Sequence, residues 1–233
     1  MGDTMFVFSY NYTPYIAVIG DIVSSKNIPE RKEIQDKLTR LLDGINKAYP
    51  RDIASQFMIT LGDEFQGLLN AGGNVLEMLE TIDREMHPVK MRFGIGVGGI
   101  TTDINPQVPL GADGPAYHHA RRMIQELKSA EKKKMESKLN MKIEIEAYPE
   151  ITELVNTIFT LNTVLKEKWT DRQREIIGEY LKSGGTQTDT AKKLDIHQSN
   201  VQRALAGSDF YAYHRAVGTV TKILSGIGEK KDV

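Results

Sequence analysis

Apolar residues occur in short continuous runs in the first two-thirds of the chain, and these runs predict strands. Tyr15–Gly20 has the pattern of a strand buried on both faces. A Gly-Asp-Glu corner at residues 62–64 separates two further runs, Phe57–Leu61 and Phe65–Leu69, which together predict a β-hairpin. A fourth run, Val89–Val97, carries alternating glycines, which suggest close approach by a neighbour or a ligand.

Apolar residues recur at helical spacing between these strands. One amphipathic helix is predicted after the first strand and a second after the hairpin. The order strand, helix, strand, strand, helix, strand is the βαββαβ plan of ferredoxin-like domains. A longer helix and an added strand, Met141–Ala147, follow. Residues 1–148 are therefore predicted to form one α+β domain.

The remaining residues have helical periodicity. Residues 149–169 predict a connector helix, and residues 170–233 predict an all-α domain. In this domain a short helix, a tight turn at residues 195–197 and a helix over residues 198–205 are typical of a helix-turn-helix unit. Residues 226–233 are expected to be frayed.

Composition limits the number of domains, the location and the partners that the protein can have. Its 233 residues suffice for one large or two modest domains. The absence of cysteine excludes disulfides and thiolate metal sites and favours a cytoplasmic location. No apolar run approaches membrane length, so no membrane partner is expected. The formal net charge of −1 says little about partners, but from Thr170 onward 10 Lys and Arg stand against 8 Asp and Glu, which permits nucleic-acid contact by the tail without arguing for it.

Two carboxylates lie where predicted strands end. Asp21 follows the first buried run, and Asp63 lies at the hairpin tip. If these strands are neighbours, the two carboxylates meet at one edge of the sheet. Paired carboxylates there are typical of the divalent-metal sites of phosphoryl-transfer enzymes. The alternative is structural, because Gly-Asp is also common turn chemistry.

Several segments resemble class III nucleotide cyclases and their relatives, the diguanylate cyclases. In chain order they are Asp21-Ile22, Leu61-Gly62-Asp63-Glu64-Phe65, Arg92-Phe93-Gly94-Ile95-Gly96 and Gly114 with Ala120-Arg121-Arg122-Met123. More specifically, Gly-Asp-Ile-Val-Ser-Ser-Lys, Gly-Asp-Glu-Phe-Gln-Gly, Arg-Phe-Gly-Ile-Gly and the C-terminal helix-turn-helix together resemble the SatD family over nearly the whole chain. The resemblance implies a ferredoxin-like, nucleotide-cyclase-like α+β domain followed by an all-α helix-turn-helix domain. It implies a fold more than an activity.

The resemblance also implies a site. Asp21 and Asp63 fall on the two metal-binding aspartates, and Ile22 falls on the position that lends a backbone carbonyl. Such a site would hold Mg²⁺ or Mn²⁺. Four further residues fall where backbone N–H groups would meet the triphosphate of a purine nucleotide: Val23, Ser24, Ser25 and Lys26.

The catalytic half of the implied site departs from the family pattern. Arg122 falls on the arginine that stabilises transition-state charge, although a structural ion pair with an acidic neighbour is its alternative. His118 replaces the asparagine expected four residues earlier. Ile59 replaces the lysine that helps adenylate cyclases to select adenine, and the first glycine of the diguanylate cyclase motif is lost. These departures favour retained nucleotide or metal binding over turnover.

The C-terminal segments resemble a helix-turn-helix of the sigma-region-4 or LuxR kind. Five residues are expected to seal its core: Ala191, Leu194, Ile196, Val201 and Leu205. Four residues of the second helix are expected to face outward with side chains that suit base edges and phosphates: Gln198, Ser199, Gln202 and Arg203. A protein-interaction module is the alternative.

Three hypotheses about function follow, the last of which is a degenerate scaffold with neither activity. The first is a DNA-binding regulatory protein whose cyclase-like domain binds a nucleotide, a divalent metal or both. The second is an active nucleotidyl cyclase or related Mg-dependent phosphotransferase whose helix-turn-helix tail targets or dimerises it. A single helix-turn-helix reads few base pairs, and cyclase-like domains place their active site at a dimer interface. Both ends of the chain therefore predict a homodimer.

Overall fold

Strands and helices alternate in the first part of the chain, and helices alone follow. The computed structural model describes residues 6–24, 30–132 and 139–228. In chain order the elements are β1 (Tyr15–Ile22), α1 (Arg31–Ala48), β2 (Ile53–Leu61), β3 (Glu64–Leu69), α2 (Val75–Met86), β4 (Met91–Gly98), α3 (Pro115–Lys132), β5 (Met141–Ile145), α4 (Pro149–Glu167), α5 (Asp171–Lys182), α6 (Gln187–Lys193), α7 (Gln198–Gly207) and α8 (Phe210–Ser225). Within those ranges the fold is mixed α+β, with one five-stranded sheet and eight helices.

The sheet is built around β1, whose side chains are apolar on both faces. Its strand order is β2-β3-β1-β4-β5. β1 pairs antiparallel with β3 and with β4, and β5 lies parallel to β4. The predicted hairpin is confirmed as β2 and β3, joined at Gly62 and Asp63, where Gly62 takes a φ of 65°. None of the helices described combines the length and apolar composition that a bilayer span requires.

Each face of the sheet is covered by different helices. On one face, α1, α2, α4 and α8 enclose the larger apolar core. On the other face, α3 lies so close to β4 that only glycine fits beneath it. A Cβ at Gly96 would lie 2.1 Å from the Ala116 carbonyl oxygen, and one at Gly94 would lie 2.3 Å from that of Ala120. The neighbour that the alternating glycines of β4 admit is therefore this helix.

The last helix joins two cores. Near its start, Phe210 and Tyr213 pack with α5, α6 and α7 in a separate apolar cluster. Near its end, Ile223 and Leu224 pack in the larger core beside the sheet, as does Ile227 beyond the helix. The expectation of fraying from residue 226 is therefore wrong as far as residue 228, since Ile227 is fully buried. The division of the chain at residues 148 and 170 stays a prediction.

A buried ion cluster fastens α4 to its neighbours. The Lys166 ammonium lies 2.7 Å from Asp83 Oδ2 and 3.1 Å from Glu80 Oε2, both on α2. The Tyr213 hydroxyl on α8 donates to the same Glu80 oxygen at 2.5 Å. Burial by itself lowers the pKa of Lys166, but the two carboxylates outweigh burial and the net pKa is raised. Three helices thus share one buried charged group.

The close approach of α3 to β4 predicts an asymmetric response to added methyl groups. Gly96→Ala should lower the free energy of unfolding by about 1–3 kcal/mol, because backbone atoms of α3 must move to admit the Cβ. The matched control is Gly44→Ala in α1, where a Cβ would have no neighbour within 4 Å. Removing a glycine from that helix interior should stabilise the protein by about 0.5–1 kcal/mol. Urea unfolding of both variants measures the difference, and equal effects would contradict this packing.

Candidate functional site

Charged side chains gather where β1 ends, on the sheet face that α3 covers. Asp21 pairs in register with Arg92 of β4, and both residues are buried. Arg92 Nε donates to Asp21 Oδ1 at 2.8 Å, and Lys128 Nζ lies 2.5 Å from Asp21 Oδ2. Each oxygen of the Asp21 carboxylate is therefore bound by a cationic side chain.

Two further carboxylates complete this group, which we call the β1-end cluster: Asp21, Glu64, Arg92, Lys128 and Glu131. Arg92 Nη1 donates to Glu131 Oε2 at 2.7 Å, and Lys128 Nζ lies 3.7 Å from Glu64 Oε2. Lys128 and Glu131 are three residues apart in α3, so they lie on one face of the helix. Two cations thus neutralise most of the charge of three carboxylates, of which Asp21 is buried and Glu64 and Glu131 are partly exposed.

The hairpin carboxylate that shares a cation with Asp21 is Glu64, a residue to which the sequence analysis assigned no role. The register of β1 on β3 accounts for this, because its last pair is Gly20 with Phe65, so Asp21 and Glu64 directly adjoin that pair, one on each strand. Asp63 lies in the turn and is half-buried. Ile22 is buried in the larger core and pairs in register with Met91.

The described arrangement of these residues does not fit a divalent cation. Both Asp21 oxygens are already bound by cationic groups, so an added ion would have to displace Lys128 and lie beside Arg92. Among the residues that the structure describes, no group of three or more His, Cys, Asp or Glu side chains could hold a metal ion. The metal site on Asp21, Ile22 and Asp63 stays a prediction.

The predicted phosphate-binding residues follow β1 directly. The backbone N–H of Val23 donates to the Lys90 carbonyl at 2.9 Å, so it is already satisfied. Ser24 is exposed and takes a φ of 56°. Ser25 and Lys26 lie outside the described residues.

The two predicted catalytic residues lie away from the β1-end cluster. Arg122 donates through Nε to Glu144 Oε2 at 2.7 Å and through a second nitrogen to Oε1, and hydrogen bonding to Glu144 raises the pKa of its guanidinium. Arg122 thus forms an ion pair with an acidic neighbour, and the catalytic roles of Arg122 and His118 stay a prediction. Glu144 faces Gly96 in register, four residues from Arg92 along β4, or about 13 Å. His118 is exposed, with Nε2 3.1 Å from Asp113 Oδ1.

The residues expected to seal the C-terminal core are confirmed in that role. Val201 and Leu205 of α7 are fully buried, Ala191 of α6 is buried, and Leu194 and Ile196 pack against them. The chain turns sharply between α6 and α7 because Asp195 adopts a left-handed conformation with a φ of 51°. The predicted DNA-contacting side chains on the other side of α7 are all exposed: Gln198, Ser199, Gln202 and Arg203.

Comparison with known proteins gives one family and several distant structures. The model of the SatD family matches residues 15–224. No curated protein matches the chain.

Several of the solved structures to which the chain is similar are nucleotide cyclases. A bacterial light-regulated adenylyl cyclase is 13% identical, with a TM-score of 0.40 over 62% of this chain and 97% of the other. The adenylyl cyclase CyaB from P. aeruginosa is 14% identical, with a TM-score of 0.39 over 60% and 81%. The dimeric guanylyl cyclase domain of the RhoGC fusion protein from the aquatic fungus Blastocladiella emersonii is 19% identical, with a TM-score of 0.33 over 48% and 73%. Similarity at this level carries no activity over to the chain.

The β1-end cluster predicts a large cost for removing its central charge. Asp21→Asn should lower the free energy of unfolding by about 3 kcal/mol, because the buried Arg92 loses one of its two anionic partners and Lys128 loses its nearer one. Glu175→Gln is the matched control, since it breaks a pair with Arg172 in which both side chains are half exposed. That change should cost at most about 1 kcal/mol. Urea unfolding compares the two, and an Asp21→Asn variant as stable as the control would contradict the cluster's structural role.

Proposed function

The chain belongs to the SatD family, and we propose that it is a regulatory protein that binds DNA as a homodimer through helix α7. The observation that carries this proposal is the two-sided character of α7. Val201 and Leu205 anchor one side in the apolar cluster, and four polar side chains stand exposed on the other. A recognition helix has this character, because it must be rigidly held while its outer side chains reach the base edges.

The arrangement of α5, α6 and α7 supports a helix-turn-helix interpretation. Helices α6 and α7 are joined by a turn of four residues in which the Ile196 N–H donates to the Ala191 carbonyl at 3.0 Å. Helix α5 packs on both, through Ile176 and Ile177. The first helix of such a unit lies across the DNA backbone. Lys192 of α6 has a side chain that is 75% exposed and suits a phosphate contact.

The exposed residues of α7 match base-reading chemistry. A Gln amide can pair with the two major-groove atoms of adenine, and an Arg guanidinium can pair with those of guanine. Gln202 and Arg203 supply one of each, and Gln198 and Ser199 lie at the start of the helix. Because one such helix reads only a few base pairs, a useful site on DNA requires two copies.

The sheet part is proposed as a ferredoxin-like scaffold without cyclase turnover. The order β2-β3-β1-β4, with antiparallel neighbours, supports the ferredoxin-like interpretation. The groups that a cyclase would use are engaged elsewhere, since Asp21 is bound by Arg92 and Lys128, and Arg122 by Glu144. Nucleotide binding by this part stays a prediction.

The DNA proposal predicts a localised loss of affinity. Wild-type protein is used to select fragments from a random-sequence pool, and binding to a selected fragment is followed by fluorescence anisotropy at several salt concentrations. Arg203→Ala should weaken binding about tenfold or more and reduce the salt dependence, because a cationic contact is lost. The matched control is Arg40→Ala, an equally conservative loss of an exposed arginine on α1. If wild type selects no fragment, or if both variants lose affinity equally, the proposal fails.

The absence of cyclase turnover is tested separately. Purified protein is incubated with ATP or GTP and Mn²⁺, and pyrophosphate release is followed. We expect wild type to release no more than the Asp63→Ala variant, because Asp21 and Arg122 are held in internal ion pairs. Release by wild type that disappears in Asp63→Ala would instead identify an active nucleotidyl cyclase.

A further inference from the structure

Helix α4 has an apolar outer face in addition to its buried inner face. On the inner face, Val155, Phe159 and Lys166 pack towards β5, α2 and α8. On the outer face, Leu154, Leu161 and Val164 are 46%, 59% and 49% exposed. Single exposed apolar residues are ordinary on a protein surface. Three on one side of one helix form a patch, and such a patch marks an interaction site.

The spacing of the outer face is that of a helix-pairing seam. Leu154, Ile158, Leu161 and Leu165 follow one another at intervals of four, three and four residues, as the a and d positions of a heptad do. Ile158 and Leu165 are partly buried at the base of the patch. With 19 residues, α4 is about 28 Å long, enough for two heptads of contact with a second helix.

Charges at the two ends of α4 favour a particular partner and orientation. Glu150 and Glu153 are exposed in the first turns, and Lys168 is exposed immediately after the last turn. A second copy of α4 laid antiparallel would place its Lys168 beside Glu150 and Glu153, and opposed helix dipoles would add attraction. A parallel copy would instead place like charges together. The surface is therefore complementary to itself in the antiparallel sense.

We propose that the outer face of α4 binds a second copy of this chain, antiparallel, with the two-fold axis passing between Ile158 and Leu161. An isologous contact of this kind is self-complementary about its axis. The inference names the interface of the homodimer that the proposed function requires. Its test uses no DNA. A dimer that survives a change in α4 overturns this interface alone, and a failure to bind DNA leaves the interface standing.

The first experiment measures the mass of the full chain in solution by size-exclusion chromatography with light scattering. Wild type should have twice the 26.1 kDa mass of the chain. Leu161→Glu should be monomeric, with the dimer dissociation constant raised about 100-fold, because a charge is placed at the centre of the seam. Leu110→Glu is the matched control, since that leucine is 55% exposed but lies outside α4, and it should leave the dimer intact.

Circular dichroism should show that the Leu161→Glu monomer is folded, because the change is at an exposed position. A wild-type chain that stays monomeric at its highest soluble concentration overturns the inference. A dimer that survives Leu161→Glu does the same, because it must use another surface.

The orientation is tested by disulfide crosslinking, which the absence of native cysteine makes unambiguous. In the antiparallel pair the two copies of Leu161 lie about 5 Å apart along the seam, whereas the copies of Leu154 are about 17 Å apart. Leu161→Cys should therefore form a crosslinked dimer under mild oxidation, and Leu154→Cys should not. Equal crosslinking at both positions indicates a parallel pair and overturns the proposed arrangement.

Discussion

The position of the C-terminal helices against the sheet depends on the ion pairs of the buried Lys166 ammonium. A lysine taken out of water is tolerated only with charged partners close by, and Lys166 has Asp83 and Glu80 at 2.7 and 3.1 Å. These partners lie on α2, and Tyr213 of α8 binds the same Glu80. Any shift of one helix would leave a buried charge without its partner. The cluster therefore specifies one arrangement of three helices, whatever its net contribution to stability.

In the β1-end cluster, too, buried charges are held by partners of opposite charge, but here the paired groups lie where a ligand site was expected. Arg92 and Lys128 are the cationic groups nearest to Asp21, where the cyclase resemblance would place metal and phosphate. In a nucleotide site such groups would face an open cavity, but here they are bound to Asp21, Glu64 and Glu131. Their charge is used to hold α3 against the ends of β1 and β4. This engagement is the reason why the proposed function lies in α7, with the sheet as a scaffold.

Local patterns could be predicted from the sequence where one element decides its own structure. Tyr15–Gly20, the hairpin and the two-sided α7 all have periodicities that need no knowledge of neighbours. That Glu64 rather than Asp63 shares Lys128 with Asp21 could not be predicted, because a shift of one residue in register exchanges Glu64 for Asp63 on the sheet face. The roles of Lys128 and Arg92 depend on how α3 crosses the sheet. The role of helix α8 likewise depends on the two cores that it joins.

The burial of Lys166 could not be predicted from the local sequence either. It also connects the proposed DNA binding through α7 with the proposed pairing through α4. A lysine near a helix end is ordinarily expected to be exposed, yet this one lies inside while Leu161, five residues earlier, lies outside.

Beyond α4 the chain has only a short connection to α5, and Trp169 Nε1 donates to the Ser208 carbonyl at 2.7 Å. Arg174 also donates to the Lys166 carbonyl. Because α5 and α7 are held to the end of α4 in this way, pairing two copies through α4 would fix the separation of the two α7 helices. A fixed separation is what recognition of two half-sites on one face of DNA requires.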